Sequence, residues 1–168
     1  MSNTIQQPFP PVRRVVTAHN EHGKAIVARD SLIDGDKKAH GPWIAPLWST
    51  ESLPPDVNLG EDGGLAKLSI SNQGTIVRIV DFPPHSFGAL HRSITLDYVY
   101  VLEGPIILTL DDGSRTAIAK DEIVVQQATM HGWDNETDRW ARILCVLIAS
   151  KPPSIGGEKL EASIPFKI

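Results

Sequence analysis

Apolar residues in this chain recur at every second position in short runs, and almost nowhere at helical spacing. "TIVRIVDF" (residues 75–82), "LDYVYVLEG" (96–104), "IILTLDDG" (106–113), "RTAIAK" (115–120), "EIVVQQ" (122–127) and "WARILCVLIAS" (140–150) are β-branched or alternating, with turn residues between them. Such runs predict strands, and "LAKLSIS" (65–71) reads the same way. "DDGS" at 111–114 predicts a tight hairpin. Upstream, "VRRVVTAH" (12–19) and "KAIVARD" (24–30) predict two more strands joined through "NEHG". Residues 31–64 carry Gly, Pro and Asp with little periodicity and predict a long loop region containing Trp43 and Trp48; "GGEKLEASI" (156–164) predicts one short helix. Pro8, Pro10 and Pro11 forbid helix at the start. Many short strands at this spacing predict an all-β sandwich or barrel.

Length and composition narrow the class. A chain of 168 residues, 41% apolar and 21% charged, predicts one domain with a real core. The net charge of −4 gives no electrostatic reason to expect nucleic acid or an anionic membrane as partner. The longest apolar stretch, "ILCVLIA" (143–149), is too short to cross a bilayer. "MSNTIQQPFPP" lacks the basic and apolar regions of a secretory signal, so a cytoplasmic location is expected. Cys145, the only cysteine, lies inside an apolar run and reads as a buried, inert thiol.

Chemistry enters with "HRSITLDYVYVLEG" (91–104). On a regular strand His91, Ser93, Thr95 and Asp97 share one face, because side chains alternate with a period of two. Two metal-ligating residue types on one face raise the possibility of a metal site, which needs a third ligand and an open coordination position. A second candidate histidine, His131, stands in "KDEIVVQQATMHGWDN" (120–135).

These two segments resemble the paired motifs of the cupin superfamily. His91, Asp97 and Gly104 fall on the first His, the Glu and the closing Gly of one motif; His131 and Asn135 fall on the His and Asn of the other. "HRSITLDY", "MHGWDN" and the N-terminal "RRVVTAHNEHGKAIV" are closest to small single-domain cupins of bacteria and fungal biosynthetic clusters. The departures are Ser93 at the second His position, His85 at the opening Gly, and Lys120, Gln126 and Ala128 in place of Gly, Pro and Gly.

The resemblance implies a double-stranded β-helix, a jelly-roll-like barrel over residues 65–150. Residues 1–64 would form an arm, hairpin and loop region packed on it, and 151–168 a tail. It implies that His91, Asp97 and His131 converge at one end of the barrel, where two imidazoles and a carboxylate would suit a divalent metal: Zn, Fe or Mn. His85 is the candidate acid or base, or a substitute ligand. Ser93, Gln126, Trp133 and Phe87 are the candidate substrate pocket, with Trp43, Trp48 and Phe87 as a possible aromatic lid. The implied function is a metal-dependent enzyme acting on a small aromatic or polyketide-type molecule, by decarboxylation or dehydration. The alternatives are a non-haem iron oxygenase or oxidoreductase, and a metal-free small-molecule binding protein. The implied assembly is a homodimer in which the Pro-rich N-terminal arm crosses to the neighbour. The sequence shows no nucleotide-binding glycine pattern.

Overall fold

A computed structural model of the chain describes residues 9–38, 41–58, 60–64 and 73–165. Every element among them is a strand. Among the described residues no helix is long and apolar enough to cross a membrane. "LAKLSIS" and His40 lie outside the described residues.

The first two strands, β1 (Val12–His19) and β2 (Ala25–Ile33), form an antiparallel ladder of their own. The turn between them is closed by Asn20, whose side chain accepts from the backbone amides of His22 and Lys24. The ladder is tied to the body by Arg14, which donates to the Leu47 carbonyl and pairs with Asp62.

Residues 31–64 are not one long loop. β3 (Asp36–Lys37) and β4 (Trp43–Ser49) pair with each other, and β4 pairs with β5 (Thr75–Phe82). Pro46 hides this strand from a sequence reading, because proline removes a ladder donor. The ladder absorbs it with a register shift between Pro46 and Trp48. The six-stranded sheet then runs β3-β4-β5-β11-β6-β9, adding β6 (Thr95–Glu103), β9 (Ile123–Gln127) and β11 (Ala141–Ala149). A three-stranded sheet, β10-β7-β8, is built from β7 (Ile106–Leu110), β8 (Arg115–Ile118) and β10 (His131–Asp134).

Buried side chains of both sheets meet in one cluster that includes Ile76, Val80 and Phe82 of β5, Val99 and Val101 of β6, Ile106, Ile118, Trp133, Ile143 and Leu147. β6 and β11 alternate buried and less buried positions over most of their length, as strands with one face inward must. The double-sheet architecture is the predicted jelly-roll-like β-helix.

The expected helix near the C-terminus is instead a small hairpin, β12 (Ser154–Ile155) and β13 (Glu158–Lys159). Gly156 and Gly157 both take left-handed backbone angles, φ 59° and 90°, which turn the chain back where a helix would have continued.

Candidate active site

Residues 83–92 leave β5 and run antiparallel along β10 without joining it as a regular strand. Isolated bridges pair Ser86 with Asn135 and His91 with His131. Between them the two backbones approach so closely that only glycine fits. A Cβ on Gly88 would lie 2.7 Å from the Trp133 carbonyl oxygen, and one on Gly132 would lie 2.9 Å from the Gly88 carbonyl oxygen. Asp134 reinforces the contact by accepting from the Gly88 amide at 2.9 Å, and is itself paired with Arg115.

Asn135 holds the other end. It is fully buried, and its amide nitrogen donates to the carbonyls of Phe82, Pro83 and Arg139 while its oxygen accepts from Thr137. This asparagine organises backbone and does not line the cavity below.

The effect of this scaffold is to bring two imidazoles together. The rings of His91 and His131 lie with centroids 4.2 Å apart, tilted by 51°. Each ring turns Nδ1 to a backbone carbonyl two residues earlier, Ala89 at 3.1 Å and Thr129 at 3.0 Å. With Nδ1–H donating there, Nε2 of each ring is left as the acceptor. Burial, reinforced by the neighbouring His91, pushes the His131 pKa down to about 4, so this ring is neutral at physiological pH.

Both rings line a cavity of about 260 Å³ inside the barrel. Its walls are mostly apolar, with Val80, Phe82, Val99, Ile143 and Leu147 among them, and its polar groups are few. The structure places Ser93, Gln126, Trp133 and Phe87 in that lining, along with Asp97. Phe87 is 70% exposed and stands at the mouth. Trp43 and Trp48 do not border the cavity; Trp48 packs under the Arg14 guanidinium instead.

Asp97 lies opposite Gln126 across the β6–β9 ladder, and the Gln126 amide donates to its carboxyl oxygen at 2.7 Å. Burial raises the Asp97 pKa, opposed by the Thr95 hydroxyl, the Arg78 charge and the Gln126 amide. Ser93 is buried, its hydroxyl bonded to that of Thr95 at 2.9 Å.

His85 is not brought to the cavity. It sits in a loop at φ 51° with its side chain 61% exposed and its Nε2 2.7 Å from Asp138. The positive φ turns its side chain away from the strand face that a regular β continuation to His91 would have shared.

Tested as a metal centre, the donor set is incomplete. His91 and His131 have the orientation of ligating imidazoles, each with its second nitrogen tied to a carbonyl. Among the described residues, however, no group of three His, Cys, Asp or Glu side chains converges closely enough to hold an ion. Asp97 is turned to Gln126 instead of joining the pair.

The cavity also holds a charged residue that the sequence pattern did not single out, Arg78. Arg78 shares a face of β5 with Ile76, Val80 and Phe82, so its guanidinium lines the cavity and not the outer surface. It lies opposite Cys145 in the β5–β11 register. Cys145 is itself buried, and burial pushes its thiol up to about 11, which leaves it inert.

No protein-family profile matches the chain. It is 31% identical, over 94% of its own length and 84% of the relative's, to the cupin-domain-containing oxidoreductase fogC of Aspergillus ruber. It is 33% identical, over 86% of this chain and 81% of the relative, to the cupin-domain-containing oxidoreductase virC of Hypocrea virens. Oryzines biosynthesis cluster protein J of Aspergillus oryzae is 26% identical over 98% of this chain and 97% of that protein. Among solved structures, the cupin domain of Schizosaccharomyces pombe Cnp3 superposes with a TM-score of 0.54 at 10% identity, covering 82% of this chain and 88% of that one. A double-stranded β-helix protein of Klebsiella pneumoniae gives a TM-score of 0.51 at 13% identity, over 70% and 84%.

Proposed function

The chain belongs to the cupin superfamily, and from that premise we propose that it is an enzyme of small-molecule biosynthesis that moves a proton on an apolar, enolisable substrate. The observation that carries this reading is the His91–His131 pair, fixed by backbone and facing a mostly apolar cavity. A substrate C–H beside a carbonyl would break with its proton passing to an imidazole Nε2, leaving an enolate. Return of the proton at another atom is an isomerisation; its departure with a β-hydroxyl, as water, is a dehydration. The His131 ring, kept neutral by burial and by the neighbouring His91, has its Nε2 open to accept that proton.

This reading keeps the lyase or isomerase class and routes no step through a metal, because Asp97 is not aligned with the two imidazoles. The names of the fungal relatives support a second reading, an oxidoreductase.

The test uses 2-tetralone, a bicyclic ketone, in D2O. Proton NMR should show deuterium entering beside the carbonyl faster with the protein than with buffer, and at the buffer rate with His131→Gln. No acceleration by the wild-type protein would end the proton-transfer reading. Oxygen uptake or substrate oxidation without exchange would favour the oxidoreductase.

A further inference from the structure

Inside a barrel of apolar residues, a guanidinium needs a counter-charge or a full set of acceptors. Arg78 has neither. Its Nε is buried without a hydrogen-bond partner, and among the described residues the ion pairs of arginine are made by Arg13, Arg14, Arg29, Arg115 and Arg142. The facing groups are the Cys145 thiol and the Asp97 carboxyl. Asp97 is bonded to Gln126 and is not within ion-pair distance of Arg78. Gln126 Oε1, another atom in the cavity wall, is likewise buried and unpaired.

Arg78 is half-buried beside Ile76, Val80 and Phe82, and its sealed, unpaired Nε has no structural purpose visible in the fold. A salt bridge across the barrel would have supplied one, and a methionine would have packed at lower cost. We propose that Arg78 seats a carboxylate of the substrate, so that the ligand is an apolar body carrying one carboxylate whose remainder reaches toward the imidazole pair. A guanidinium presents paired N–H donors that match a carboxylate with two parallel hydrogen bonds, and a mostly apolar wall strengthens them. The inference rests on the reading that this cavity is the active site, and it adds the substrate's charge.

Lys38 is the other cation in the cavity lining. It is therefore the internal control.

The test is binding, measured by calorimetry with two probes of one shape: 1-naphthoate and its neutral analogue 1-naphthamide. The wild-type protein should bind naphthoate at least about tenfold more tightly than naphthamide, the scale of one charge-assisted pair. Arg78→Met should erase the difference while leaving naphthamide binding in place; Arg78→Lys should restore part of it. Lys38→Met and His131→Gln should keep the preference. Equal affinity of the two probes for the wild-type protein overturns the proposal without any variant, so a misfolded Arg78→Met cannot shield it. Loss of the preference in Lys38→Met or His131→Gln overturns it as well, by placing the anion elsewhere. The proton-transfer reading is judged separately, on the neutral ketone: exchange can fail while the naphthoate preference stands, and the reverse.

Discussion

His91 and His131 exchange both of their backbone hydrogen bonds, at 2.9 Å and 3.0 Å, so their rings are held together by main chain and not by their own contacts. Replacing either side chain should therefore leave the other in place. His91→Gln and His131→Gln are expected to fold and to melt within a few degrees of the wild-type protein, while tetralone exchange falls by about 100-fold or more. The double variant should be no slower than the worse single one, because groups that act as a unit do not add. Independent, multiplying losses would show that the two imidazoles work separately.

His131 also sets a pH dependence of stability. Its pKa falls from 6.5 in the unfolded chain to about 4 in the fold, so the native state binds fewer protons between those values. Stability from this group is complete above about pH 6.5, drains away as pH falls, and levels off near pH 4. The loss is on the order of 3 kcal/mol across that window. Urea titrations at several pH values, taken as wild type minus His131→Gln, isolate it from the carboxylates. A difference that does not vary between pH 7 and 4 would contradict a buried neutral ring.

Gly88 faces the backbone of Trp133 with no room for a methyl group. Gly88→Ala should push residues 86–91 off β10 and part the two rings. About 1–3 kcal/mol of stability should be lost, and exchange activity with it. An alanine variant with native activity would show that this loop yields easily.

Asn135 donates to three carbonyls at once. Asn135→Asp would set an acceptor against them. The expected loss is about 3 kcal/mol, well beyond an isosteric change on the surface, read as a lowered midpoint in thermal or urea unfolding. Because Asn135 lies outside the cavity, whatever fraction stays folded should retain naphthoate binding.

The incomplete donor set makes a prediction about metals. Two imidazoles without a third protein ligand should hold Zn²⁺ weakly and lose it on dialysis against EDTA. Asp97→Asn should bind it within about twofold of the wild-type protein. Stoichiometric metal that survives EDTA and depends on Asp97 would mean that the carboxylate leaves Gln126 to complete a three-ligand centre.

β5 to β9 and β11 were legible because their turns and alternation agree, and an all-β sandwich or barrel followed; the jelly-roll-like form came from the resemblance of the two histidine motifs, and β10, only four residues long, was not read as a strand. β4 was not, since Pro46 contradicts a strand and only the neighbouring bulge reconciles it. Arg78 was hidden for another reason. In "TIVRIVDF" both faces carry apolar residues, so a period of two cannot say which way the arginine points. The strand parity that grouped His91 with Asp97 held only from Thr95 onward. His91 precedes the strand and owes its position to Gly88 and His131, contacts that no local pattern encodes. His85 could be placed only once its backbone angle was known.

The bridge that joins His91 to His131 spans a hairpin and two further strands of chain. Loop closure over that length is entropically slow, and no local element can preassemble it. The imidazole pair is therefore among the last things to form as the chain folds. On refolding from urea, recovery of tetralone exchange should lag behind the recovery of β-sheet circular dichroism, and it should never precede it.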